Sequence, residues 1–157
     1  MTNPSKDLKE TESALRLVIE TLIDGQDALR HIGEQLKDEA LKVKFLEESL
    51  TRAEFRGELE NLLHQEGVHD VNEHGTTAGV VHRAWAELKA KLGGSDHTLL
   101  VTAEEIEDAA REQYENAITT DPALPLPIRQ LLARQAAHVE EFHDTVKAAR
   151  DRLSEAA

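Results

Sequence analysis

Apolar residues recur at three- and four-residue steps along most of the chain, which is the period of a buried stripe on an α-helix. The pattern predicts four long helices, near residues 5–36, 39–66, 97–119 and 127–154, and a short helix near 77–92. Clusters of Gly and Pro separate these segments. No stretch shows the alternation of a strand, so the predicted fold class is all-α.

Local signals place the helix ends and favour a four-helix bundle. Asp38 can cap the second helix, and Ser95 or Asp96 can cap the third long one. The segment from Asp121 to Pro127 contains three prolines, which cannot lie in a helix interior. The last of them, Pro127, can open the final helix at its first turn. The short helix between the second and third long helices could carry the chain back along the bundle. A plain up-and-down bundle with a fifth helix attached is the alternative.

Composition and charge narrow the class of protein. A length of 157 residues suits a single domain over residues 1–157, and 3% aromatic residues require an aliphatic core. The absence of cysteine excludes disulfides, thiolate metal sites and a thiol nucleophile. No segment has the pattern of a signal peptide or the length of a membrane span, so a cytoplasmic protein is expected. A net charge of −13 argues against nucleic acid as a partner.

Three segments of the chain resemble one known family. They are His82 to Lys89 followed by Gly93 and Gly94, then Glu107 to Ala110 with Tyr114, then Arg134 and Gln135 with His143 and Asp144. Together they resemble the bacterial ferritin-like proteins grouped as domain of unknown function 2383, over residues 15–150. The resemblance implies a ferritin-like four-helix bundle with an additional short crossover helix. It implies no established activity.

A ferritin-like bundle raises the question of a di-iron centre. Such a centre takes a Glu from each of two helices and a Glu-x-x-His pair from each of the other two. The last helix carries this spacing from Glu140 to His143. Glu48 and Glu107 complete the candidate set of metal ligands, which would hold iron or another divalent metal.

Other inward positions favour a core without metal. The helical stripe of the first helix places Gln26 at its centre, where a metal would need a carboxylate. On the second helix Arg52 lies one turn from Glu48, and its guanidinium supplies the positive charge that a metal would otherwise provide. The favoured interpretation is a hydrogen-bonded polar core with no cofactor. Its predicted members are Gln26, Glu48, Arg52, Glu107, Gln113, Gln135 and His143.

Histidines also gather around the predicted loop after the second helix. They are His64, His69 and His74, with His82 further along and several carboxylates among them. Imidazoles and carboxylates at this density could bind Zn²⁺, Ni²⁺ or Cu²⁺. A solvated connection explains the same residues more simply, because loops tolerate polar side chains of any kind.

The second helix carries a second apolar stripe, nearly opposite the first. Val43, Leu46, Leu50 and Ala53 form it, although a helix at the edge of a bundle needs only one such stripe. The stripe either covers the crossover helix or faces another subunit, and a homodimer through the second helix is the expectation. The sequence as a whole predicts a structural, interaction or stress-related protein, with an iron-binding oxidoreductase or metal-storage protein as the alternative.

Overall fold

The computed structural model describes residues 4–65, 94–119 and 124–156, and every regular element within these ranges is an α-helix. The helices are α1 (Pro4–Gln35), α2 (Glu39–Gln65), α3 (Asp96–Ile118) and α4 (Leu126–Ala156). The all-α prediction is confirmed for these residues, and the four long helices begin and end within two residues of their predicted bounds. The short helix predicted near 77–92 lies outside the described residues.

Side-chain hydrogen bonds cap α2 and α3 and hold the start of α3 beside the turn between α1 and α2. Asp38 Oδ1 accepts a hydrogen bond from the Leu41 N–H at 3.0 Å, and Ser95 Oγ accepts one from the Thr98 N–H at 3.3 Å. Both residues therefore act as the predicted N-caps. The Asp96 carboxylate accepts from the N–H groups of Lys37, at 2.9 Å, and of Asp38, at 3.0 Å. These two bonds place the first turn of α3 beside the first turn of α2.

The shared starting point makes α2 and α3 parallel. Because the 27 residues of α2 rise about 40 Å, Gln65 and Asp96 lie at opposite ends of the bundle. Helix α1 packs against α2 and α3, and α4 packs against α3 and, less extensively, against α2. The helices thus form a four-helix bundle in which α2 and α3 are diagonal partners.

Two hydrophobic clusters fill the bundle, one at each end. The cluster near the α1–α2 turn includes Leu29, Ile32, Phe45, Leu99 and Val146. The cluster at the far end includes Leu15, Leu22, Leu59, Tyr114 and Ile128. Charged side chains are buried between the two clusters at mid-height, on α2 and α3. Among the described helices, none is long and apolar enough to cross a membrane.

Candidate functional site

An arginine held between two glutamates lies at the centre of the bundle. Arg52 Nε donates to Glu48 Oε2 at 2.8 Å, and Arg52 Nη2 donates to Glu107 Oε2 at 2.6 Å. The exposed fractions of the three residues are 1% for Arg52, 4% for Glu48 and 0% for Glu107. Since Glu107 belongs to the diagonal helix α3, the guanidinium spans the middle of the core. The predicted pairing of Glu48 with Arg52 is confirmed, and Glu107 is a second partner.

The neighbours of Arg52 explain how so large a cation fits. Its Cζ lies 5.7 Å from the centre of the Phe142 ring, a distance that permits a cation–π contact. On α1 the facing residue is Gly25, where an added Cβ would lie 3.8 Å from Arg52 Nη1. That distance is an ordinary van der Waals contact, so Gly25 places the backbone of α1 directly against the guanidinium.

The inward residue of α1 at this level differs from the one predicted. Gln26 is only half-buried, while Gly25 is buried. The carbonyl oxygen of Gln26 accepts a hydrogen bond from Ser49 Oγ at 2.9 Å, which ties α1 to α2. Positions 25 and 26 both satisfy a three- or four-residue step from Leu22 and to Leu29, so the helical period could not choose between them.

Burial and charge oppose each other in this group, which we call the Glu48–Arg52–Glu107 triad. Burial raises the pKa of the Glu107 carboxyl, against the opposite effect of Arg52, and Glu48 adds to the increase. Burial disfavours the charge of Arg52, but the two carboxylates outweigh this effect and raise its pKa. Glu107 Oε1 is buried with no hydrogen-bond partner among the described residues. One cation therefore serves two carboxyl groups, which favours a proton on Glu107.

Glu48 also has a partner closer to the surface. His138 Nε2 lies 2.8 Å from Glu48 Oε1, and the imidazole meets the Phe55 ring edge-on with 5.2 Å between centres. A cleft of about 340 Å³ between α2 and α4 exposes this pair; its lining includes Lys44, Glu47, Glu141 and Phe142. Sequence reasoning missed His138, although its steps from Gln135 and to Phe142 put all three on one face of α4.

A second polar contact lies one turn further along the core. The Tyr114 hydroxyl donates to Gln135 Oε1 at 2.9 Å, and Gln135 Nε2 donates to the Phe55 carbonyl oxygen at 3.0 Å. Burial is the largest cause that raises the pKa of Tyr114, which keeps the phenol protonated. Gln135 is buried as predicted, whereas Gln113 is half-buried and Tyr114 occupies the inward position instead.

The remaining candidate ligands lie at the seam between α3 and α4. His143 is buried there, with Nε2 2.9 Å from Asp108 Oδ1 and Nδ1 3.2 Å from Asp144 Oδ1. The nearest acceptors to its two ring nitrogens are these aspartates. Glu140 is exposed and accepts from Arg111 Nε at 2.6 Å. The four predicted metal ligands therefore fall into two places, with Glu48 and Glu107 at Arg52 and the other two at the seam.

The residues at the centre of the bundle do not fit a di-iron centre in this arrangement. One oxygen of Glu48 and one of Glu107 already bind the guanidinium of Arg52, and α1 offers Gly25 where a carboxylate ligand would be needed. A cation at the site of Arg52 would also repel a bound metal in a medium that screens charge poorly. Of the loop histidines, His64 is exposed near the end of α2. His69 and His74 lie outside the described residues.

Comparison with known proteins identifies a family and no function. No curated protein matches the chain. The model of a protein family described as a domain of unknown function, DUF2383, matches residues 10–120, a range that contains most of α1 and all of α2 and α3. Because the match covers well over half of the sequence, the chain belongs to the DUF2383 family.

Proposed function

We propose that the chain is a ferritin-like bundle that works as a structural, interaction or stress-related protein in the cytoplasm, without a di-iron centre. The parallel course of α2 and α3 supports the ferritin-like part. A chain that leaves α2 at Gln65 must travel the length of the bundle to reach Asp96. The short helix predicted near 77–92 would supply about 24 Å of that distance.

The observation that carries the proposal is Arg52 between Glu48 and Glu107. In a di-iron bundle, inward carboxylates are balanced by metal ions. Here a guanidinium takes the place of the metal ions and binds each carboxyl group by a charge-assisted hydrogen bond, at 2.8 and 2.6 Å. Pairing with Arg52 therefore accounts for the buried carboxylates without a cofactor.

The test is anaerobic titration of the untagged apoprotein with Fe²⁺, followed by exposure to oxygen. We expect no stoichiometric pair of irons and no absorbance of an oxo-bridged ferric pair. Two irons per chain that are lost in Glu107→Gln would contradict the proposal and support the alternative, an iron-binding oxidoreductase or storage protein. Iron that Glu107→Gln retains lies outside the core and is compatible with the proposal.

We also propose that the chain forms a homodimer through α2. Of the second apolar stripe, Val43 and Leu50 have exposed fractions of 52% and 66%. Leu46 is half-buried because it packs on α1 at Gly33, and Ala53 is half-buried as well. Large exposed aliphatic side chains on one helix face are the kind of surface that a partner covers.

A further inference from the structure

The seam between α3 and α4 concentrates groups that bind metals, away from the Glu48–Arg52–Glu107 triad. Glu104 and Asp108 are one turn apart on α3, and His143 faces them from α4. His143 Nε2 lies 2.9 Å from Asp108 Oδ1 and 3.9 Å from Glu104 Oε1. One potential ligand atom from each of the three residues lies within 4.8 Å of the others. Two ligands that bind one metal tetrahedrally at about 2.0–2.1 Å lie about 3.4 Å apart, which is between the two distances measured from His143 Nε2.

His143 is already oriented as a metal ligand would be. Asp144 Oδ1 lies 3.2 Å from Nδ1 and can accept its proton, while a metal ion at Nε2 would replace the proton that the 2.9 Å contact of Nε2 with Asp108 Oδ1 requires. A carboxylate on the far nitrogen is the usual support of a metal-bound imidazole. With a side chain 8% exposed, His143 also loses little freedom on binding.

The seam carries more negative than positive charge, which favours the binding of a cation. Four carboxylates meet there, from Glu104, Asp108, Glu140 and Asp144, while the pairing cations are Arg111 and Arg150. On the core side of the same helix α3, Glu107 Oε1 is buried and has no hydrogen-bond partner among the described residues. The carboxylates therefore outnumber the guanidinium groups by two at the seam itself.

We propose that Glu104, Asp108 and His143 form a site for a single Zn²⁺-class divalent metal ion. An imidazole nitrogen with two carboxylate oxygens suits zinc, whereas Mg²⁺ prefers oxygen ligands alone. Arg111 Nη1 lies 3.3 Å from His143 Nε2, 3.5 Å from His143 Nδ1 and 3.4 Å from Asp108 Oδ1, so its positive charge is beside the proposed site and would repel a bound ion. Since Arg111 is more than one-third exposed, it can turn towards solvent, and Glu140 remains its partner.

Calorimetric titration of the untagged full chain with Zn²⁺ tests the site. Asp108→Asn should lower the affinity at least 10-fold, and Asp144→Asn about 10-fold through the loss of the supporting carboxylate. Arg111→Gln should raise the affinity, because it removes the competing cation. A cluster of purely structural ion pairs would not show this gain.

The matched control is His138→Gln, which removes a different imidazole that also meets a carboxylate across two helices. Its zinc binding should equal that of the wild type. His143→Ala should lose the site, and Asp108→Asn gives the same information if His143→Ala does not fold. A wild type that binds no zinc at micromolar concentration, or binding that Asp108→Asn leaves unchanged, would overturn the proposal. The iron titration of the core is independent of either result.

Discussion

Arg52 illustrates how one residue decides the chemistry of a buried site. A charge removed from water is costly unless opposite charges and hydrogen bonds surround it. Arg52 meets both conditions, because Glu48 and Glu107 approach it from two helices and Phe142 covers its face. The unfavourable part of the arrangement is the burial of Glu107, whose second carboxyl oxygen lacks a hydrogen-bond partner among the described residues.

Removal of this cation should be far more damaging than removal of a neighbouring one. Arg52→Met keeps most of the side-chain volume but leaves two buried carboxyl groups without a counterion. We expect it to lower the free energy of unfolding by about 3–5 kcal/mol. The control is Arg56→Met, which breaks the 2.7 Å pair with Glu60 at a partly exposed position of the same helix. It should cost less than about 1 kcal/mol in urea denaturation. Equal losses would show that the triad does not govern stability.

Glu107 should make stability depend on pH. Its pKa in the folded chain is raised above the ordinary value of 4.5, so the native state holds a proton that the unfolded state releases. This contribution is fully present below the ordinary value and is lost as pH rises towards the raised pKa. The measurement compares the free energies of unfolding of the wild type and of Glu107→Gln in buffer that contains a metal chelator. As pH increases above about 4.5, the value for the wild type should fall relative to that of the variant. A constant difference between the two would contradict this assignment.

At the scale of elements, the α1–α2 pair shows how close packing depends on one position. A Cβ added at Gly33 would lie 3.1 Å from Phe45 Cβ and 3.1 Å from Leu46 Cδ2, which is closer than ordinary contact. Phe45 Cβ is attached directly to the backbone of α2 and cannot move independently of it. Gly33 thus lets the two helices approach, in addition to the Ser49 bond to α1.

Two glycine substitutions, one on α1 and one on α2, should change the free energy of unfolding in opposite directions. Gly33→Ala forces the helices apart and should lower the free energy of unfolding by about 1 kcal/mol or more, despite the better helix propensity of Ala. At Gly57 nothing lies within 4 Å of an added Cβ, so Gly57→Ala should raise it by about 0.5–1 kcal/mol. Thermal unfolding measures both. A stabilising Gly33→Ala would show that α2 yields to the methyl group.

For the whole molecule, the proposed dimer depends on side chains that the bundle itself leaves exposed. Val43→Glu with Leu50→Glu should convert a dimer into a monomer without loss of helicity, because neither side chain belongs to the core clusters. Analytical ultracentrifugation at micromolar concentration measures the change. The matched control is Leu17→Glu, which puts the same charge on an exposed leucine of α1, 47% exposed, and should leave the dimer intact. A wild type that sediments as a monomer would contradict the proposed interface.

Several features of this protein follow from the sequence by itself, because they depend on local order along the chain. The four long helices arise from apolar spacing, and their starts at Asp38 and Ser95 arise from capping side chains. The pair of Glu48 with Arg52 follows from a separation of four residues, which one helical turn brings together.

Only the tertiary structure decided which groups meet across the bundle. Glu107 reaches Arg52 from 55 residues away, and His138 reaches Glu48 from 90 residues away. The helical period identifies which residues share a stripe, but it does not fix how the helix is rotated about its own axis relative to the core. Adjacent residues differ by only about 100° around that axis, so either of two neighbours can face inward. For that reason the sequence could not place Gly25 rather than Gln26 against the guanidinium. The packing of α1 against α2 and of α3 against α4 set those rotations, and with them the positions of the charged groups in the core.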